Sequence, residues 1–135
     1  MCNTAVYDRL RALLLGGALL TSVLVAAPAY AFPLYGVALS DSGWSGGIVM
    51  RVHRVGATGL VGRVRCVPGS APCLSRRYRV GMTFAADGSF TGAMSSRHTQ
   101  CTIAGDLFDS GLLQGRYACA RDDGMQDVGS FQVTP

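Results

Sequence analysis

The sequence predicts an all-β protein, a small antiparallel meander that we expect to close into an eight-stranded up-and-down barrel with two disulfides. Four tripeptides that end in glycine separate segments of alternating apolar and polar residues, and glycine readily takes the left-handed position that closes a three-residue hairpin loop. A loop centred on Ser110 sets a register that places Cys101 opposite Cys119. The choice of this loop does not depend on the cysteines, so their pairing supports it independently. The tripeptides are Ala57-Thr58-Gly59, Ala86-Asp87-Gly88, Asp109-Ser110-Gly111 and Asp122-Asp123-Gly124.

Residues 1–31 have the pattern of a secretory signal peptide. Two arginines precede an apolar run over residues 12–27, and Ala29-Tyr30-Ala31 then places small residues where a signal peptidase cleaves. We expect cleavage after Ala31 and export to the periplasm or the medium, with no transmembrane anchor in the mature chain. An uncleaved anchor helix is the alternative, although the run is short for the roughly 20 residues of a membrane span.

Residues 32–135 are expected to form a single all-β domain, because no segment has the 3.6-residue period of an amphipathic helix. Closely spaced strands with turn signals between them indicate a sandwich or a barrel. A glycine inside most strands permits strong coiling, which favours the barrel over the alternative of a β-sandwich. The expected strands are Leu34–Leu39, Ile48–Val55, Leu60–Val67, Tyr78–Ala85, Ser89–Met94, Cys101–Phe108, Leu112–Ala120 and Asp127–Val133.

The same loops predict strand registers and a core. Phe84, Phe90, Tyr117 and Phe131 face inward, where they either fill the barrel or line a ligand cavity. Filling is the expectation, since small eight-stranded barrels are usually packed with side chains. The predicted pairs are Val52–Val64 and Met50–Cys66 around Thr58, Phe84–Phe90, Met82–Gly92 and Val80–Met94 around Asp87, Ile103–Tyr117 around Ser110, and Tyr117–Gly129 and Gly115–Phe131 around Asp123.

The mature chain contains an even number of cysteines, as small exported domains with disulfides do. The register pairs Cys101 with Cys119, which leaves Cys66 to pair with Cys73. A zinc site is the alternative, but the spacing contains no Cys-x-x-Cys pair and no histidine lies near a cysteine in the sequence. We therefore expect neither a metal nor a cofactor.

The outward face of the second, third and fourth strands is strongly basic. The predicted register places Arg51 opposite Arg65 and His53 opposite Arg63, and like charges that oppose each other destabilise a sheet. The surface is either a solvated face or a docking site for an anion. We call the five arginines of this face the arginine wall. They are Arg51, Arg63, Arg65, Arg77 and Arg79.

The chain's 12 basic side chains are all arginine and its 8 acidic ones all aspartate, which indicates a GC-rich genome and, with the signal peptide, a bacterial envelope protein. Trp44 lies in a loop rich in glycine and serine, where it either anchors a partner or caps one end of the barrel. An enzyme is not expected, because the sequence contains no Gly-x-Ser-x-Gly or His-Glu-x-x-His motif. His98 lies in a polar connector, where we expect a solvated side chain.

The leading hypothesis is a binding protein that docks an anionic polysaccharide, lipopolysaccharide or an acidic protein through the arginine wall, with His53 and Trp44 as further candidates. A carrier of a small apolar ligand in the barrel and a structural protein without a ligand are the alternatives. Nucleic acid is disfavoured, because the protein is exported and lacks evident exposed aromatics for base stacking. The expected size and architecture resemble secreted bacterial inhibitors of proteases or lysozyme and lipocalin- or avidin-type carriers, but only at the level of fold.

Overall fold

The computed structural model describes residues 32–67 and 74–135, which form a closed antiparallel barrel of eight strands. Each strand pairs with the next one in sequence, and the last strand pairs with the first. The prediction of an all-β barrel is confirmed. The strands are β1 (Phe32–Ser40), β2 (Ser45–Val55), β3 (Gly59–Cys66), β4 (Arg77–Phe84), β5 (Ser89–Ser95), β6 (Thr99–Leu107), β7 (Leu113–Arg121) and β8 (Gln126–Thr134).

Alternating burial along the strands explains why these segments form one barrel. On β4, Tyr78, Val80 and Met82 point into the core, while Arg77 and Arg79, which alternate with them, are exposed. Apolar residues from all eight strands fill the interior in this way. The aromatic ring of Phe90 contacts those of Phe84 and Phe131, with ring centroids 5.9 and 6.2 Å apart. The closing β1–β8 ladder and this core lie wholly between residues 32 and 134, so the barrel is a self-contained unit.

Three of the four hairpin loops have the conformation that the sequence predicts. Gly88, Gly111 and Gly124 are left-handed, with φ between 85° and 89°. The registers that follow from these loops are confirmed as well. The confirmed pairs are Phe84–Phe90, Met82–Gly92, Val80–Met94, Ile103–Tyr117, Cys101–Cys119, Tyr117–Gly129 and Gly115–Phe131.

The β2–β3 hairpin differs from its predicted register by two residues. Gly59 is not left-handed; instead the Gly56 N–H donates to the Gly59 carbonyl at 2.8 Å, which closes a loop one residue shorter than expected. A β-bulge that places His53 between the paired residues Val52 and Arg54 shifts the register by one more residue. The two shifts together keep the side chains before the bulge on their expected faces but change their partners. The predicted pairs Val52–Val64, Met50–Cys66, Arg51–Arg65 and His53–Arg63 are therefore wrong, and the observed pairs are Val52–Gly62, Met50–Val64, Ile48–Cys66 and Arg51–Arg63.

A disulfide joins Cys101 on β6 to Cys119 on β7, as predicted, and both residues are buried. The second predicted disulfide involves Cys73, which lies outside the described residues, as does the predicted signal peptide. The Cys101–Cys119 disulfide is consistent with an oxidising, exported location. Within residues 32–67 and 74–135, no helix is long and apolar enough to cross a membrane.

Candidate functional site

The arginine wall lies on β2, β3 and β4, and all five of its side chains are exposed. Cross-strand pairing arranges them in two rows. Arg51 pairs with Arg63 and Arg63 with Arg79 in one row, and Arg65 pairs with Arg77 in the other. Neighbouring strands are about 4.8 Å apart and alternate residues about 6.7 Å apart, so the five Cα atoms occupy an area of roughly 10 by 7 Å.

No aspartate among the described residues makes an ion pair with the arginine wall. The ion pairs of the described residues lie away from the wall, on β7 and in the loops at one end of the barrel. The aspartates do not face the wall across the ladders, where Arg51 has Pro33 as its other neighbour and Arg79 has Ser95. The positive charge of the wall is thus presented to solvent. The ion pairs are His98–Asp122, Arg116–Asp41 and Arg121–Asp123.

His53 does not stand in the row of arginines where the sequence places it. The β-bulge gives it no partner on β3, and its side chain is half-buried, with a buried Nε2 that has no hydrogen-bond partner among the described residues. A bulge turns a side chain away from its regular position in the ladder, which is the physical reason for this difference. His98, in contrast, is exposed as expected, and its Nδ1 lies 3.1 Å from Asp122 Oδ2.

Trp44 lies at the end of the barrel where the loops after β1, β3, β5 and β7 meet. We call it the Trp44 end. The indole is half-buried and packs against the core, so it covers one end of the barrel instead of projecting into solvent. Beneath it lies a cavity of about 60 Å³, with a lining that is largely apolar and includes Met50, Ile103 and Phe131.

A carboxylate also lines this cavity. Asp127 of β8 accepts hydrogen bonds from Ser40 Oγ at 2.5 Å and from Tyr117 Oη at 2.9 Å. Burial raises the pKa of Tyr117 well above its usual range, and the bond to the Asp127 carboxylate raises it further. Both carboxylate oxygens are therefore satisfied by the protein, and the cluster ties the end of β1 to β7 and β8.

A second polar cluster closes the Trp44 end between the β3–β4 segment and β6. Ser75 Oγ lies 2.8 Å from both Ser96 Oγ and Thr99 Oγ1, and the Ser75 N–H donates to Tyr78 Oη at 3.0 Å. Burial raises the pKa of Tyr78. No group of three metal-ligating side chains occurs in residues 32–67 and 74–135. These hydroxyls bond to one another and to the backbone, which accounts for them structurally.

β1 has an exposed apolar surface, on a strand whose outward face the sequence analysis does not assign. Tyr35, Val37 and Leu39 point outward and are 56%, 38% and 50% exposed. We refer to these three residues as the apolar stripe. Apolar residues on both faces of β1, with Leu34 and Ala38 pointing inward, are the signal that could have revealed it.

Comparison with models of protein families finds none that matches this chain, and comparison with curated proteins finds no match either. The chemistry of the site is therefore argued from its residues. The arginine wall offers an array of planar guanidinium groups, each able to pair with two oxygens of a carboxylate or phosphate. The Trp44 end offers an apolar cavity of modest size.

Proposed function

We propose that the protein is an exported binding protein that docks an anionic envelope component or an acidic protein through the arginine wall. The observation that carries this proposal is the pairing of Arg51, Arg63 and Arg79 in one row, with no carboxylate among the described residues to balance them. The disulfide and the predicted signal peptide support a location in the periplasm or the medium.

Energetics support a ligand for this surface. Opposed like charges on a sheet destabilise it, where opposite charges would stabilise by roughly 0.2–1 kcal/mol per pair. The wall contains three such unfavourable pairs between adjacent strands. A multivalent anion would reverse their sign, because each guanidinium would gain a charge-assisted bond to an oxygen.

The nature of the partner follows from the shape of the wall. Its arginines are spread over three strands instead of lining a cleft, so they suit an extended or repeated anion more than a single small one. An acidic polysaccharide, lipopolysaccharide or an acidic protein surface presents charges in that way. Binding to any of them depends on salt, because exposed charges are screened over about 8–10 Å at 0.1–0.15 M ionic strength.

Titration calorimetry with two soluble polyanions, polyphosphate and alginate, tests the proposal. The protein used is residues 32–135, because the barrel closes entirely within them. A wall variant, Arg51→Gln/Arg63→Gln/Arg79→Gln, is compared with a control variant, Arg97→Gln/Arg116→Gln/Arg121→Gln, which removes the same charge elsewhere. We expect the parent and the control to bind at low salt and the wall variant to bind at least tenfold more weakly. Equal affinities for the two variants would overturn the proposal.

The alternative of an apolar-ligand carrier has less support. An engineered apolar cavity that binds benzene has a volume of about 150 Å³, whereas the cavity beneath Trp44 measures about 60 Å³. Asp127 in its lining further disfavours a fully apolar ligand. The carrier would become the better hypothesis if the parent and the wall variant both bound an apolar ligand and neither bound a polyanion.

A further inference from the structure

The apolar stripe and the arginine wall form one continuous surface. Tyr35 of β1 pairs with Val49 of β2, Val49 pairs with Arg65 of β3, and Arg65 pairs with Arg77 of β4. A single row of cross-strand neighbours thus runs from an aromatic ring to two guanidinium groups. Although Val49 points outward, it is only 7% exposed, so the side chains on either side of it close over the boundary between the two surfaces.

The rest of the outer surface has a different character. The outward side chains of β5 and β6 are small and mostly uncharged, for example Thr91, Ala93 and Ala104. The negative charges of the described residues lie on β6, on β8 and in the loops at the two ends of the barrel. Strands β1 to β4 therefore form an amphipathic side of the molecule with positive charge only.

We propose that this side docks on the surface of a bilayer that contains anionic phospholipid. The inference rests on the proposed function of the arginine wall and names its partner. Headgroup phosphates accept hydrogen bonds from the guanidinium groups, while Tyr35 and Leu39 enter the interface beside them. A soluble polyanion would satisfy the arginines but would leave three exposed apolar side chains in water.

The dimensions of the surface suit this partner. Four neighbouring strands span about 15 Å, and the wall is convex, so the middle strands approach a flat bilayer most closely. Arginine and tyrosine side chains are long and carry their polar groups at the tip, which lets those on the flanking strands reach the headgroups. Positive charge near an anionic bilayer attracts the protein over about one Debye length, and the separation of charge around the barrel orients it with this side first.

Vesicle sedimentation tests the inference. Residues 32–135 are mixed with vesicles of phosphatidylcholine alone, with vesicles of phosphatidylcholine and phosphatidylglycerol in equal parts, and with polyphosphate in solution. A stripe variant, Tyr35→Thr/Val37→Thr/Leu39→Thr, is compared with a control variant, Phe108→Ser/Met125→Ser, whose two positions are 45% and 50% exposed and lie in loops away from the stripe. The wall variant, Arg51→Gln/Arg63→Gln/Arg79→Gln, is measured in all three arms.

We expect the parent to bind anionic vesicles at least tenfold more tightly than neutral ones. The stripe variant should lose about tenfold in affinity for anionic vesicles and keep its affinity for polyphosphate within twofold, while the control variant keeps both. Unchanged vesicle affinity of the stripe variant, with polyphosphate binding that depends on the wall, would overturn the bilayer as partner and leave the proposed function standing. If the wall variant binds as tightly as the parent in every arm, both the bilayer as partner and the proposed function are overturned.

Folding of each variant is checked by its thermal unfolding before the comparison. If the triple stripe variant does not unfold cooperatively, the single variants Tyr35→Thr and Leu39→Thr replace it, since each side chain is at least half exposed. Each is then expected to weaken vesicle binding at least twofold without weakening polyphosphate binding. Vesicle affinities equal to that of the parent would contradict the inference.

Discussion

At the scale of single residues, Tyr117 shows how a buried polar side chain is accommodated in this barrel. It is 7% exposed, and its hydroxyl donates to Asp127 Oδ2 at 2.9 Å. Burial and the nearby carboxylate both disfavour the phenolate, which raises the pKa of Tyr117 above its unperturbed value of 10.0. The folded state therefore holds the phenol proton more tightly than the unfolded state does.

Stability should consequently fall at alkaline pH. Below pH 10 the phenol is protonated in both states, and above it the unfolded chain loses the proton first, so the free energy of unfolding decreases as pH rises. We expect Tyr117→Phe to lower stability by about 1.5–3 kcal/mol at pH 8, the cost of a hydrogen bond to a charged group, and to reduce the loss between pH 10 and 11. Urea unfolding at pH 8, 10 and 11 measures this. Tyr35→Phe, at an exposed tyrosine, is the control, and an equal alkaline loss in parent and Tyr117→Phe would contradict it.

Arg63 is the residue whose charge the wall accommodates least well, because an arginine faces it from each side. We expect Arg63→Gln to stabilise the barrel by about 0.5 kcal/mol at low ionic strength, since two unfavourable pairs are removed, and to have little effect in 1 M salt. Urea unfolding at 10 mM and 1 M salt provides the measurement. Arg97→Gln, in the β5–β6 loop, is the matched change, and the same gain at that position would argue against repulsion within the wall.

At the scale of the elements, the hairpins separate what the sequence could predict from what it could not. Gly88, Gly111 and Gly124 define their loops, because their left-handed conformation is the one that the tripeptide pattern requires. Gly59 belongs to an identical pattern but has an ordinary φ, and the β-bulge at His53 has no signature of its own. The tripeptide pattern thus predicts the loop conformation in three hairpins. In the β2–β3 hairpin it does not, because a register shifted by two residues buries the same side chains.

Glycines with and without a positive φ give a direct test of this reading. An alanine Cβ would meet no neighbour at either Gly124, with φ at 89°, or Gly81, with an ordinary φ. We expect Gly124→Ala to destabilise by about 1–2 kcal/mol, the cost of the left-handed conformation. Gly81→Ala should be neutral or stabilise by up to about 1 kcal/mol, because it restricts the unfolded chain. Thermal unfolding compares the two, and equal changes would contradict the assigned conformations.

The Cys101–Cys119 disulfide closes a loop over a sequence separation of 18 residues, and it joins directly paired positions of β6 and β7. Replacing both cysteines by alanine should cost about 2–4 kcal/mol. The free energy of unfolding from urea titrations gives the comparison. An effect below about 1 kcal/mol would show that the barrel does not depend on this bridge.

Peptide mapping of the oxidised protein tests the remaining prediction, a disulfide between Cys66 and Cys73.

At the scale of the whole molecule, the meander converts order along the chain into position around the barrel. Residues 32–83 contain seven arginines and one aspartate, and residues 84–135 contain three arginines and six aspartates. Because each strand pairs with its neighbour in sequence, this difference becomes a positive side and a more negative side. The wall was therefore predictable even though its predicted register was wrong, since a shift of two residues preserves the faces.

Other parts of the candidate site could not be predicted from local patterns. The position of Trp44 depends on the closed end of the barrel, and the direction of His53 depends on the β-bulge. The exposure of Tyr35 and Leu39 depends on closure between β1 and β8, because an apolar residue on either face of an isolated strand fits a core equally well. The tertiary structure thus determines the orientation and exposure of each of these side chains.

The account depends most on the arginine wall being the surface that contacts the partner. Arginine footprinting with phenylglyoxal, followed by mass spectrometry, tests this in residues 32–135 with anionic vesicles, neutral vesicles or polyphosphate. The account predicts that polyphosphate and anionic vesicles protect Arg51, Arg63 and Arg79, while Arg97 in its exposed loop stays as reactive as in the free protein. Protection of Arg97 to the same degree as the wall, or protection of neither, would contradict the central claim.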